Sequence, residues 1–176
     1  MPLEPSEIVR LLGLVEHPTC GLVRETYRSS VRIPPAALPA AYGDPGAAAA
    51  PRTAGDAMYF LVTANTPMGL HRIRADQLYH HYLGDPLEVL LLRTGGGAET
   101  ITVGSDLAAG MRPQLLIPGG TTHVSRIRPG GAWALLATTV FVSVDPSDVE
   151  VVDPRVAAAR SPEVAAGLRA FGQIDR

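Results

Sequence analysis

From Ala57 onward the chain runs in short alternating stretches of apolar and polar residues, punctuated by Gly and Pro. Alternation places successive side chains on opposite faces of an extended strand, so each stretch predicts a strand with one buried face. The pattern predicts strands over 58–64, 70–74, 77–82, 87–93, 99–103, 115–117, 122–128, 132–144 and 149–152. Gly95-Gly96-Gly97 forms the turn of one hairpin. Before Ala57, Leu22 to Ser30 alternates in the same way, after a predicted turn over His17 to Gly21. Many short strands at regular spacing imply an all-β sandwich or barrel.

Only the ends read as helical. Ser6 is placed to cap a helix over Glu7 to Leu12 that Gly13 ends, with Ile8, Leu11 and Leu12 on one face. Near the C-terminus, Ser161 precedes Pro162 and Glu163, which predicts a helix to Phe171. Residues 34–56 are rich in Pro, Ala and Gly, a composition that predicts no stable element and a mobile loop. No internal repeat or second domain is visible, so residues 1–176 read as one domain. Its core spans about 8–152, with a helical tail over about 161–172.

Composition narrows the partners. Every basic residue is Arg, and the formal net charge is −2. The arginines are scattered, which argues against nucleic acid, whose backbone calls for clustered cations. No apolar stretch approaches the length needed to span a bilayer, and the start does not read as a signal peptide. A single cysteine, Cys20, excludes an internal disulfide and fits a reducing, cytoplasmic setting. Without a flanking cation other than His17, Cys20 is a poor candidate nucleophile. Nucleophile-elbow, P-loop and dinucleotide motifs are absent.

The candidate chemistry lies in the histidines: His17, His71, His80, His81 and His123. Alternation puts His71 and Ile73 on one strand face, and Gln77, Tyr79 and His81 on one face of the next. Closure of the sheet would bring these side chains into one interior with His123. The bland alternative is that His71 is a hydrogen-bonded core residue. His80 falls on the opposite face, and Glu25 and Arg28 fall on opposite faces of their own strand.

At these positions the chain resembles the cupin superfamily. His71, Gln77, Gly84, Pro118, Gly120 and His123 fall on positions of its two signature segments. Longer strings resemble the fifth cupin subfamily, a domain of unknown function: Leu14 to Gly21 (LVEHPTCG), Glu25 to Ser29 (ETYRS), Met58 to Leu61 (MYFL), Leu78 to Leu87 (LYHHYLGDPL), and Pro113-Gln114 followed by IPGG at 117–120. The resemblance runs from about Ile8 to Val152. It implies an all-β double-stranded β-helix, the jelly-roll cupin barrel, with short N- and C-terminal helices and a small-molecule pocket. It also implies pairing as a homodimer.

Three departures bear on chemistry: the second signature histidine is Ile73, its glutamate is Gln77, and the final asparagine is Ile127. A metal cupin ordinarily uses three His and one Glu. Here a divalent Fe, Ni, Mn or Zn would have His71, Gln77 and His123, without a carboxylate to offset its charge. The leading expectation is therefore an enzyme that needs no cofactor. It would act on a small polar metabolite by acid–base chemistry, as an isomerase, epimerase or lyase. His71 and His123, with ordinary imidazole pKa values, would exchange protons while Gln77 and Tyr79 orient the substrate. Arg72, His81, Tyr59, Glu25 and Gln114 are the candidate substrate-binding residues, with Arg72 or Arg52 as holder of an anionic group. The alternatives are a metal-dependent cupin oxygenase or lyase, and a ligand-binding cupin that turns nothing over.

Overall fold

Two antiparallel sheets face each other in the computed structural model, which describes residues 3–17, 20–39, 42, 51–66 and 68–175. Thirteen strands are present among these residues. They are β1 (Val15–His17), β2 (Gly21–Arg28), β3 (Arg32–Ile33), β4 (Arg52–Thr53), β5 (Gly55–Thr63), β6 (His71–Arg72), β7 (Asp76–Gly84), β8 (Leu87–Leu92), β9 (Ala98–Val103), β10 (Gln114–Ile117), β11 (Thr122–Ile127), β12 (Trp133–Phe141) and β13 (Glu150–Val151). One sheet has the order β1-β2-β5-β12-β7-β10 and the other β13-β6-β11-β8-β9, while β3 and β4 pair separately. Apart from the β1–β2 and β8–β9 hairpins, neighbours in these sheets are far apart in sequence, as in a jelly roll.

The main core fills the space between the sheets. Phe60, Val62, Tyr79, Ile117, Ala134 and Leu136 from one sheet meet Leu87, Val89, Leu91, Val103 and Ile127 from the other. A second layer lies outside the five-stranded sheet. There Leu70, Leu90, Leu92 and Val124 are covered by α2 (Pro154–Ala158) and α3 (Pro162–Ala170). The Ser161 hydroxyl accepts from Val164 N–H and caps α3, the role its sequence predicts. The five-residue α2 is not visible in the sequence pattern.

A third cluster lies outside the six-stranded sheet, where α1 (Pro5–Leu12) packs Ile8 against Leu61 and Leu135. This helix begins two residues earlier than expected. Pro5 occupies its first position, Glu4 precedes it, and Ser6 is not its cap. Gly13, at φ 61°, ends it as expected. Leu11, expected on the packed face, is exposed.

Two expectations need correction. Residues 34–56 are not devoid of structure: Arg32–Ile33 pairs with Arg52–Thr53, and Pro35–Ala37 forms a 3-10 turn. Of the segment expected to be mobile, 40–41 and 43–50 lie outside the described residues. Glu25 and Arg28 are also not on opposite faces. The β2–β5 register shifts between Glu25 and Tyr27, leaving Thr26 as an extra residue that restores parity, so Arg28 hydrogen-bonds Glu25.

Candidate functional site

The five-stranded sheet builds the site from two of its strands. β6 and β11 align antiparallel with His71 directly opposite His123, and their ring centroids are 4.3 Å apart. Both side chains point between the sheets, and both are buried. Each imidazole is oriented by a backbone carbonyl two residues earlier. His71 Nδ1–H donates to Gly69 O at 2.8 Å, and His123 Nδ1–H donates to Thr121 O at 3.1 Å. These bonds leave the Nε2 lone pair of each ring facing inward. The His123 lone pair accepts from the Tyr79 hydroxyl of β7 at 3.3 Å, while Tyr79 packs edge-on to its ring.

Burial dominates the electrostatics. It lowers the His71 pKa, aided by the nearby His17, and pushes His123 down to about 3. The expectation of ordinary imidazole pKa values is thereby corrected: both rings are neutral at pH 7. Burial also pushes the Tyr79 phenol far above its usual value, which keeps it protonated and fit to donate.

Three further polar groups face the same interior without a partner. Gln77 Oε1, Ser125 Oγ and Thr138 Oγ1 are buried without hydrogen bonds. Gln77 is on β7, two residues before Tyr79, and Thr138 on β12 stands opposite Tyr79. Ser125 follows His123 on the same face of β11 and lies close enough to lower the Tyr79 pKa slightly, without forming a well-shaped bond. Unsatisfied buried polar groups are costly, so each of these calls for a water or a ligand group as its partner. The sequence reading missed Ser125 and Thr138. Their period-two spacing from His123 and toward Val140 was the available signal.

Several candidate residues lie elsewhere. Tyr59 belongs to the outer cluster under α1 and meets Tyr82 edge-on, away from the histidines. Gln114 is exposed on the outer face, where its Nε2–H donates to His80 Nδ1, and His80 Nε2–H donates to Thr139. His81 shares the parity of Tyr79 but is committed to the strand's end, donating from Nε2 to Asp85 O at 3.0 Å. Glu25 is exposed and bound to Arg28, which holds its carboxyl below the usual range. Arg52 is spent on the buried Asp148, so it is not a holder of substrate. Arg72 points outward from β6 and pairs with Glu150 of β13 at 2.7 Å. The interior site is thus His71, His123, Tyr79, Gln77, Ser125 and Thr138.

The donors present do not match a cupin metal centre. Among the described residues no group of three His, Cys, Asp or Glu is placed to share an ion. The Nε2 of His123 is engaged by Tyr79, and Gln77 offers an amide oxygen in place of a carboxylate. His71, His123 and Gln77 alone leave the charge of a divalent ion uncompensated.

A jelly-roll barrel with a buried histidine pair between its sheets is the architecture of a cupin. The chain belongs to the Cupin superfamily family DUF985, whose pattern matches residues 6–152. Two solved structures resemble it along nearly its whole length. A hypothetical protein from Leishmania major is 22% identical with a TM-score of 0.80, covering 96% of this chain and 98% of that one. Protein SO0799 from Shewanella oneidensis is 26% identical with a TM-score of 0.78, covering 96% of each chain. A mutant of Bacillus subtilis oxalate decarboxylase shares the fold at 13% identity and a TM-score of 0.51, covering 89% of this chain and 34% of that one. No curated protein matches the sequence. No helix among the described residues is long and apolar enough to cross a membrane.

Proposed function

We propose that the barrel interior binds a small polar metabolite and moves a proton on it, as an isomerase, epimerase or lyase. The observation that carries this reading is the inward-facing Nε2 of His71, set beside a donor pair and three unpartnered oxygens. His71 is the proton acceptor. His123 is too weak a base for that task, so it positions Tyr79 by accepting its hydroxyl proton. Tyr79, kept a phenol by burial, has a single proton to give: at rest it goes to His123, and a developing oxyanion would take it by displacing that bond. Gln77, Ser125 and Thr138 accept from substrate hydroxyl or amide groups, which favours a polyhydroxylated, uncharged reacting portion.

The test is a screen of hydroxylated and keto metabolites for exchange of a carbon-bound hydrogen with deuterium from heavy water, read by proton NMR. Exchange in the wild type that is lost in His71→Ala supports the reading. A substrate that binds the interior without exchange moves it to the second reading, a ligand-binding cupin. The very low basicity of His123 is the observation favouring that alternative.

We further propose that the chain pairs as a homodimer through the outer face of the six-stranded sheet. Leu116, Tyr82 and Phe141 are each about half exposed on that face, on β10, β7 and β12, at different levels along the strands. Sedimentation of the wild type as a dimer, and of Leu116→Glu as a folded monomer, is the expected outcome. A monomeric wild type would remove the proposal.

A further inference from the structure

A cavity of about 340 Å³ opens on the other side of the strands that carry the histidines. Its wall includes Arg72 from β6, Arg93 at the end of β8, and Arg160 from the turn between α2 and α3. Thr94, Thr121 and Thr122 add three hydroxyls, and Pro118-Gly119-Gly120 forms one side. Three segments far apart in sequence therefore bring three arginines to one concavity. Scattered arginines in the sequence become clustered only through the fold.

Two of the three cations are oriented by surface carboxylates. Arg72 pairs with Glu150 and Arg93 with Glu99, all four side chains being about half exposed. Pairs so open to water contribute little and exchange readily for a better anion. Arg160 is exposed and has no ion pair among the described residues. The cavity therefore retains one cation in excess. The backbone of its glycine loop contributes no free donors. Gly119 N–H donates to Asp76 Oδ1, Gly120 N–H to Ile73 O, and Thr121 N–H to Pro118 O. Any anion held here is held by side chains, in the forked geometry that suits phosphate oxygens.

We propose that this cavity is a binding site for the phosphate group of a small phosphorylated molecule. The choice of ligand follows from charge and size. Three arginines with three hydroxyls match a dianion with several acceptor oxygens. The space exceeds what a bare phosphate fills and lies in the range of small-molecule sites. The site is separate from the barrel interior, since His71 and Arg72, or Thr122 and His123, face opposite sides of their strands. It stands whether or not the interior is catalytic.

The experiment is calorimetric titration of the full chain with inorganic phosphate, ribose 5-phosphate and ribose, at low and at moderate salt. The wild type is expected to bind ribose 5-phosphate, more weakly as salt rises, and not to bind ribose. Arg160→Glu is expected to weaken binding by about ten-fold or more, and Arg93→Ala by several-fold. His71→Ala is expected to bind as the wild type does. Both arginines are partly or fully exposed, so thermal unfolding near that of the wild type confirms that the variants are folded. Tighter binding of the ester than of phosphate assigns a phosphorylated metabolite; equal binding assigns the phosphate group alone. The proposal is overturned if ribose 5-phosphate does not bind up to about 10 mM at low salt, far weaker than a built site gives. It is equally overturned if binding survives Arg160→Glu but is lost in His71→Ala.

Discussion

His71 and His123 stand as direct partners across the β6–β11 pairing, each ring steered by the carbonyl two residues before it. The two bonds assign the same tautomer to both rings, with the proton on Nδ1 and the lone pair on Nε2 turned inward. Two imidazoles 4.3 Å apart between centroids resist joint protonation, and burial adds to this resistance.

Acid stability follows from that arrangement. Both folded pKa values lie below 6.5, so at lower pH the unfolded chain binds protons that the folded chain refuses. The contribution to stability is fully present above pH 6.5. For His123 it is lost progressively as pH falls from 6.5 toward about 3. Urea midpoints measured between these limits are expected to fall with pH, and to fall less steeply in a His123→Asn variant. A profile of equal slope in both proteins would show that His123 is not held neutral.

Tyr79→Phe is expected to leave the fold intact and cost about 1–3 kcal/mol, because His123 Nε2 then lacks its buried donor. The check is chemical denaturation at neutral pH. If the hydroxyl acts as a donor to substrate as proposed, turnover should drop further than stability, through kcat more than KM.

Gln77→Glu restores a carboxylate beside the two histidines. It is expected to confer or strengthen binding of Zn²⁺ or Co²⁺ relative to the wild type, by on the order of ten-fold, as a neutral amide oxygen becomes an anionic ligand. Visible absorption of the Co²⁺-loaded protein gives the coordination directly. Unchanged affinity would mean that position 77 does not face a shared centre.

Gly84 sits at φ 85°, and a Cβ there would collide with the Trp133 carbonyl and indole. Gly84→Ala is expected to destabilise the protein by about 1–3 kcal/mol or more, combining backbone strain with a backbone clash. The melting temperature of the purified variant tests this. It would locate the signature glycine's role in strand geometry, since its carbon lies far along β7 from Gln77.

Period-two alternation made the strands legible, since each buried face writes itself into every second residue. Ten of the strands fall within a few residues of their expected bounds for this reason, from Leu22 to Val152. The exceptions are instructive. β1 is three residues with no buried face, β3 and β4 are two residues each at the edges of the Pro- and Ala-rich stretch, and α2 rests on a five-residue turn capped by Asp153. The histidine pair was legible because parity and closure together force His71 and His123 inward. Tyr59 and Gln114 were misplaced because resemblance gives no parity, and their neighbours Phe60 and Leu115 are the ones that face the core. Arg52 looked available only because its partner Asp148 lies 96 residues later.

β6 is two residues long, and its neighbours β11 and β13 fix which residue turns inward. Sliding it by one position would carry a guanidinium into the dry interior and push an imidazole out toward the arginine cavity. Insertion or deletion of a single residue between Leu70 and Asp76 therefore rewrites both compartments at once. The spacing of that connector, more than the identity of any residue in it, sets which side chain each compartment receives.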